Sequence, residues 1–309
     1  MKIKTKLSLV LVIVTVALSL WGCSRSEKEQ NNKQLDDDAT ITLYQHESGE
    51  TVEITLGEYL CGVVAGEMDV NWPQEALAAQ AIVARTFTLE KIEDGGVPAR
   101  GTDASTDIHE FQAYQPQKIN DKVRKAVEET SGKAIYYNGN LIKAWFFADS
   151  GGKTAASAVE GLSYDKEETP YIQSVTDPGI ELEENENKQW SAEFTMAEVT
   201  EAVEKVSGQK KEKFTQVSIV EHGDSGRATK MQFDDLIVGV PALRLALGGE
   251  KMKSALLTEA EIVNSKLYLT GKGYGHGVGM SQWGARALAE QGKTAEEIIH
   301  YFFKNIEIR

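Results

Sequence analysis

Cysteine is the scarcest residue of this sequence, with only Cys23 and Cys61 among 309 residues. Two cysteines, one of them on the apolar face of a predicted helix, cannot provide the disulfide framework of a small secreted scaffold. Cys61 also has no base close to it in sequence, and buried thiols without such a partner are mostly inert. The sequence therefore predicts a packing role for Cys61 rather than a nucleophilic one.

Basic residues are also in deficit, since 33 Lys and Arg stand against 47 Asp and Glu and give a net charge of -14. Proteins that bind the phosphates of DNA or RNA carry clusters of Lys and Arg on the binding face. The charge balance therefore excludes nucleic acid as the expected partner. The acidic surplus is explained by solubility alone.

Long apolar runs are absent except at the N-terminus, where Lys2, Lys4 and Lys6 precede the uncharged run 7–21. A run of about fifteen residues matches the core of a signal peptide better than a membrane span. It ends in Leu20-Trp21-Gly22-Cys23, which resembles a bacterial lipobox except for the bulky tryptophan. Either a lipid on Cys23 or a short uncleaved anchor would hold the protein on the outer face of the membrane.

The chain divides into three predicted parts. Residues 1–22 are the signal peptide or anchor, residues 23–39 contain the lipobox cysteine and a polar disordered spacer, and residues 40–309 form the folded domain. Helix and strand patterns are mixed in that domain without regular βαβ alternation, which favours an α+β fold. We expect mixed helices and antiparallel hairpins in one elongated domain of one or two lobes, with an Asn138-Gly139 hairpin turn as the strongest local signal.

A lone carboxylate, Glu67, lies at the end of the first predicted helix. Thr55 and Glu58 have capping-box spacing at the start of that helix, and an Ala-rich helix follows from Gln74 to Glu90. Burial between apolar helix ends raises the pKa of a carboxyl group. A raised pKa suits a general acid that works near neutral pH, so Glu67 is the candidate acid.

The run 271–292 has glycine at alternate positions, which allows positive φ and close approach of another chain or a ligand. It lacks the spacing of a phosphate-binding loop and the βαβ setting of a dinucleotide site. Ser281 is predicted to cap the helix that follows. For His276, also in this run, a structural role held by backbone and a functional role both remain open.

Several stretches resemble the stage II sporulation protein D and LytB family. They read EYLCGVVAGEM, WPQEALAAQAIVARTF, FFADSGGKT, PYIQSV, SGRATKM, LRLALG and GYGHGVGMSQWGARALAEQGKTAEEII, in the family's order across residues 40–309. The resemblance implies a peptidoglycan lytic transglycosylase, which cuts between N-acetylmuramic acid and N-acetylglucosamine and leaves 1,6-anhydro ends. It implies Glu67 as the catalytic residue, within VVAGEM, and Arg85 as a glycan-binding residue.

One carboxyl group fits this chemistry, because the sugar's own 6-hydroxyl replaces the second carboxylate of an ordinary glycosidase. Arg85 paired with Glu67 would lower the pKa of the acid, so we expect Arg85 to contact substrate instead. The other candidate cleft residues are aromatic, amide, hydroxyl or imidazole side chains of the kind that line glycan sites. They are Tyr114, Gln115, Ser150, Tyr274, His276 and Gln282.

The sequence departs from those family members that carry a Cys/His metal site, since the matching stretch 103–114 contains no Cys and only His109. A zinc site needs about four ligands, so neither a metal nor any other cofactor is predicted.

By resemblance, the partners are glycan strands that could be peptide-free, a cell-wall amidase and a membrane scaffold of an engulfment complex. Two alternatives stay open: a hydrolytic muramidase with Asp69 or Asp149 as second carboxylate, and a non-catalytic wall-binding activator.

Overall fold

The computed structural model describes residues 36–309, and the predicted signal peptide, lipobox and Cys23 lie outside this range. The fold is α+β, as predicted. The helices are α1 (Leu56–Glu67), α2 (Gln74–Glu93), α3 (Asp121–Glu129), α4 (Ala158–Leu162), α5 (Met196–Ser207), α6 (Val240–Leu247), α7 (Gln282–Glu290) and α8 (Ala295–Phe302), with short 3₁₀ helices at Pro116–Lys118 and Pro178–Glu181. Among the described residues, no helix is both long and apolar enough to cross a bilayer.

The strands form small sheets rather than one large sheet. They are β1 (Thr40–Tyr44), β2 (Thr51–Thr55), β3 (Ala104–Ser105), β4 (Ile135–Tyr137), β5 (Asn140–Leu141), β6 (Phe146–Phe147), β7 (Trp190–Thr195), β8 (Val217–His222), β9 (Ala228–Phe233), β10 (Leu236–Gly239), β11 (Leu257–Val263), β12 (Lys266–Gly271), β13 (Met280–Ser281) and β14 (Glu307–Ile308). Within residues 36–309 the sheet orders are β2-β1-β3, β10-β9-β8, β11-β12-β7, β13-β6 and β14-β4-β5. Most pairs are antiparallel, and only the short β1–β3 and β13–β6 pairs in this region are parallel.

Two hydrophobic cores organise these elements. The first is built by α1, α2, α3, α7 and α8 together with β1, and the second by residues 190–269, where α5 and α6 cover two antiparallel sheets. The chain leaves the first core after Ile172 and returns to it at Val278. The glycine-rich run is therefore the return connection between the two cores.

Helix α2 is central to the first core. Apolar residues are buried around most of its circumference, as expected for a helix covered by neighbours on several sides. Small residues such as Ala76, Ala79 and Ala84 leave space for α1, α3, α7 and α8 to pack on it. At the start of α1, the Oγ1 of Thr55 accepts a hydrogen bond from the Glu58 amide at 3.2 Å.

The prediction of a disordered spacer up to Ala39 is wrong for its last four residues. The amide of Gly57 donates to the carbonyl oxygen of Asp37 at 2.8 Å, and the amide of Leu56 donates to that of Ala39 at 2.9 Å. The carboxylate of Asp37 also pairs with the guanidinium of Arg85. Residues 36–39 are thus bound to the start of α1 and to α2, because their backbone and one carboxylate satisfy groups of the domain.

Candidate active site

Glu67 is the last residue of α1, and its half-buried carboxylate is held from two directions. The backbone amide of Ala113 donates to Oε1 at 2.8 Å, and Nε2 of Gln282 donates to Oε2 at 3.3 Å. Ala113 and Gln282 come from segments far apart in the chain. Their meeting on one carboxylate defines the candidate site.

Two glycines of α1 allow the segment 113–115 to lie directly against the helix. A Cβ on Gly66 would stand 2.9 Å from the carbonyl group of Ala113, and a Cβ on Gly62 would stand 2.2 Å from the ring of Tyr114. The carbonyl oxygen of Gly62 accepts the amide of Gln115 at 2.9 Å. Glycines four residues apart therefore form a groove on α1, and this groove brings the Ala113 amide to Glu67.

The surroundings of Glu67 raise the pKa of its carboxyl group above the ordinary value of 4.5. Loss of water around the carboxylate is the main cause, and the hydrogen bonds from Ala113 and Gln282 act in the opposite direction. Tyr59 lies beside this site, and burial strongly raises the pKa of its phenol. These surroundings favour the protonated form of the carboxyl group, and the role of Glu67 as a general acid stays a prediction.

The glycine-rich run delivers Gln282 to this position. Strand β13 pairs in parallel with β6, and Gly279, with φ of 82°, passes so close to Trp145 that a Cβ would stand 2.0 Å from its carbonyl oxygen. Ser281 then caps α7 as predicted, with its Oγ accepting the Gly284 amide at 3.2 Å. Gln282 is consequently the first residue of a fixed helix.

His276 and Tyr274 lie earlier in the same run and have packing contacts. Nδ1 of His276 accepts the Val278 amide at 3.1 Å, and its ring packs on that of Phe147. Burial and nearby arginines lower the pKa of His276 to about 3, so its imidazole is neutral at physiological pH. The half-buried ring of Tyr274 lies under the ammonium of Lys253. No contact in the described region places either side chain on Glu67.

Tyr114 and Gln115 follow Ala113 in the segment that lies against α1, so their backbone is next to the candidate site. The ring of Tyr114 stacks on that of Tyr59, with centroids 5.7 Å apart, and the side chain is half-buried. Gln115 is half-buried at the N-cap of the 3₁₀ helix Pro116–Lys118. Both side chains stay candidates for sugar contacts.

The expected contact between Arg85 and substrate needs correction. Its side chain is 0% exposed, with Nε and Nη2 both donating to the Asp37 carboxylate at 2.8 Å. The same guanidinium donates to the carbonyl oxygens of Lys133 and Val127. A guanidinium enclosed by these acceptors has no surface for a sugar, so Arg85 joins the N-terminal segment to α2 and α3.

The prediction for Ser150 is also wrong in the described structure. Ser150 is 0% exposed, and its Oγ accepts the amide of Gly152 inside a turn. Its carbonyl oxygen accepts Nη2 of the buried Arg227 at 2.8 Å. The residue is therefore part of the packing between the two cores rather than of a cleft surface.

Within residues 36–309, no group of three or more His, Cys, Asp or Glu side chains is arranged to hold a metal ion. His109 lies exposed on a loop, and Asp107 faces the imidazole of His46 at 3.3 Å.

Sequence reasoning missed the Ala113 amide and three side chains beside Gln282. Trp72 and Trp283 form an edge-to-face pair with centroids 5.0 Å apart, and the guanidinium of Arg286 covers both rings. A backbone amide carries no sequence signal. The tryptophans did carry one, since both lie in stretches that resemble the family, and Trp283 directly follows Gln282.

Comparison with known proteins locates this site in a recognised family. The family described as stage II sporulation protein matches residues 44–137, which include Glu67 and Ala113. A domain of unknown function matches residues 169–279, which contain the second core.

Three relatives extend the similarity over most of the chain. An uncharacterised protein of Brachyspira hyodysenteriae is 30% identical over 83% of this chain and 67% of its own length. Stage II sporulation protein D of Bacillus subtilis is 29% identical over 87% of this chain and 78% of its own length. The amidase enhancer of Bacillus subtilis is 30% identical over 79% of this chain but only 39% of its own length. This chain therefore belongs to the stage II sporulation protein D family.

Proposed function

We propose that this protein is a peptidoglycan lytic transglycosylase that acts in sporulation, with Glu67 as its single general acid and base. The observation that carries the proposal is the Glu67 carboxyl group itself. It has a raised pKa, a backbone donor on one oxygen and an amide donor on the other. Membership of a family named for sporulation supports the biological setting.

The proposed reaction needs one proton-carrying group. Protonated Glu67 donates its proton to the oxygen that links muramic acid to the next glucosamine, and the bond from that oxygen to the anomeric carbon breaks. The 6-hydroxyl of the same muramic acid attacks the anomeric carbon and passes its proton to the Glu67 carboxylate. The products are a 1,6-anhydro end and a free glucosamine hydroxyl, and water is not consumed.

The Ala113 amide and the Gln282 amide group have complementary tasks in this cycle. Both donate to the carboxylate form and stabilise it after the first proton transfer. Loss of hydration keeps the proton on the carboxyl group before that transfer. Desolvation and the two hydrogen bonds thus favour opposite protonation states, as a residue that serves first as acid and then as base requires.

The hydrolytic alternative requires a second carboxylate facing the same bond. Neither candidate from the sequence is well placed for that role. Asp69 is exposed and accepts hydrogen bonds from Asn71 in its own turn. Asp149 is 1% exposed and bound to Gly151 and Asn185 between the two cores. These positions favour an internal hydroxyl over a water molecule as the nucleophile.

The experiment that tests the proposal is digestion of peptide-free and peptide-bearing glycan in water labelled with heavy oxygen. A lytic transglycosylase gives unlabelled anhydro ends, because no water enters the product. Reducing ends that carry the label would contradict the proposal and favour a muramidase. Comparison of the two substrates determines whether stem peptides must first be removed.

A second candidate function is activation of a cell-wall amidase without turnover, and the similarity to an amidase enhancer favours it. The two functions are separable with Glu67→Gln. Loss of glycan cleavage together with loss of amidase stimulation supports the transglycosylase. In that case the amidase would be stimulated because the cut strands are its substrate. Stimulation that survives Glu67→Gln supports the activator.

The location and partners follow the same proposal. An export signal and lipidated Cys23, or an uncleaved anchor, would place the domain at the wall on the outer face of the membrane. The proposed partners are glycan strands, an amidase that removes stem peptides, and a membrane scaffold. Labelling of cells with radioactive palmitate, compared between the natural chain and Cys23→Ser, tests the lipid.

A further inference from the structure

We infer that Trp72 and Trp283 form a sugar-stacking subsite next to Glu67, which binds a pyranose ring of the glycan strand away from the cleaved bond. This inference rests on the proposed function for the identity of the strand. Its structural basis is the pair of half-buried indoles, whose centroids are 5.0 Å apart at an interplanar angle of 61°.

Each tryptophan is close in sequence to a residue of the candidate site. Trp72 follows Glu67 by five positions in a turn that leads from α1 to α2. Trp283 follows Gln282, whose Nε2 donates to Glu67 at 3.3 Å. Both indoles therefore stand on the two segments that carry and hold Glu67.

Both indoles stand on backbone that is fixed before any ligand binds. The amide of Trp72 donates to Asp69, and the carbonyl oxygens of Asn71 and Trp72 accept the ammonium of Lys122 at 2.9 and 2.6 Å. The amide of Trp283 donates to the carbonyl oxygen of Ala148 at 3.0 Å. Ligand binding would then order little of the protein, which favours affinity.

Arg286 holds the two rings, and neighbouring carboxylates more than offset its positive charge. Its guanidinium lies 5.4 Å from the Trp72 centroid and 5.1 Å from the Trp283 centroid. The same group pairs with Glu290 at 2.8 Å and with Glu184 at 3.4 Å. Two carboxylates offset one guanidinium, so the cluster does not suit an anion.

An uncharged ligand with an apolar face fits these features best. A pyranose ring presents C–H groups on its faces and hydroxyl groups at its edge. Tryptophan offers a large rigid apolar surface at low entropy cost. The glycan strand of the proposed reaction carries neutral N-acetylglucosamine rings between its muramic acid rings, so one of these neutral rings is the occupant that we assign.

The test measures binding of peptide-free glycan oligomers by calorimetry, in a Glu67→Gln background that prevents turnover. Trp72→Ala and Trp283→Ala are each expected to raise the dissociation constant roughly tenfold, the loss expected for one aromatic contact. Trp72→Phe and Trp283→Phe keep a ring and should stay within about threefold of the background protein. Tyr268→Ala, at a half-buried position of β12 that belongs to neither hydrophobic core, is the matched aromatic control and should bind unchanged.

Labelling with fluorotryptophan provides a measurement that needs no disruptive substitution. On addition of glycan, the fluorine signals of Trp72 and Trp283 should shift, while those of Trp145 and Trp190 stay in place. Folded Trp→Ala variants that bind as tightly as the background protein would overturn the inference. So would fluorine signals of Trp72 and Trp283 that do not move, or a background protein that binds no glycan.

The two proposals fail in different ways. Glycan binding that depends on the indoles, without anhydro ends from the natural protein, would refute the transglycosylase and leave the subsite standing. Anhydro ends together with unchanged binding by the alanine variants would refute the subsite alone.

Discussion

The pair between Asp37 and Arg85 offers a quantitative test of the role that the structure gives to the arginine. Asp37→Ala would remove the only carboxylate on the buried guanidinium among the described residues. Two carbonyl oxygens, from Lys133 and Val127, would remain as its acceptors. The variant therefore leaves a charged group enclosed in the first core with part of its hydrogen bonding lost.

Breaking one side of a buried ion pair costs about 3–5 kcal/mol. Asp37 is 14% exposed and Arg85 is 0% exposed, so water can reach the vacated position and offset part of the loss. We therefore expect about 3 kcal/mol, near the lower end of that range. In a domain of this size the melting temperature should fall by roughly 6–12 °C.

The assay is urea unfolding of Asp37→Ala, Arg85→Met and the double variant, arranged as a double-mutant cycle. Asp38→Ala is the matched control, since Asp38 is exposed and adjacent, and it should change the free energy of unfolding by less than about 0.5 kcal/mol. Asp37→Ala with natural stability would refute the reasoning. The same conclusion would follow if Arg85→Met weakened glycan binding while Asp37→Ala did not.

Three further predictions concern Glu67 and its supports. Because the raised pKa of Glu67 lets the folded protein hold a proton that the unfolded chain has lost, its contribution to stability falls as pH rises above the ordinary value of 4.5. Glu67→Gln should therefore have a larger free energy of unfolding in urea than the natural protein at neutral pH, but not below pH 4.5. An equal difference in that free energy at both pH values would contradict this. Gln282→Leu removes a donor to the carboxylate, so the alkaline limb of the pH–rate profile should move to higher pH, and an acid shift would contradict this. Gly66→Ala should lower kcat at least tenfold, because its Cβ displaces Ala113, whereas Gly239→Ala, whose Cβ would meet only the Ser163 hydroxyl at 4.0 Å, should not.

Local signals in the sequence predicted much of the fold. The Thr55 cap and the Asn138-Gly139 turn are both found where the pattern placed them. These features depend on the chemistry of a few neighbouring residues. At α3 the cap is Asn120, whose carboxamide oxygen accepts the Val123 amide.

Contacts across the chain were harder to predict. The partner of Arg85 is Asp37, in a segment whose polar composition indicated disorder. The Ala113 amide reaches Glu67 only because Gly62 and Gly66 leave room on α1. Pattern analysis assigns residues to elements, whereas these contacts depend on how the elements pack. Gln282 was predicted as a cleft residue, but its bond to Glu67 became visible only in three dimensions.

Product analysis of peptide-free glycan digested by Glu67→Gln tests the central claim most directly. Asp69→Asn and Glu58→Gln serve as controls, since both residues are exposed acids close to Glu67 in sequence. We predict that Glu67→Gln lowers the rate of anhydro-end formation by roughly 10²–10⁴-fold, the usual share of a general acid, while both controls retain it. Anhydro ends formed by folded Glu67→Gln at the natural rate would contradict the account.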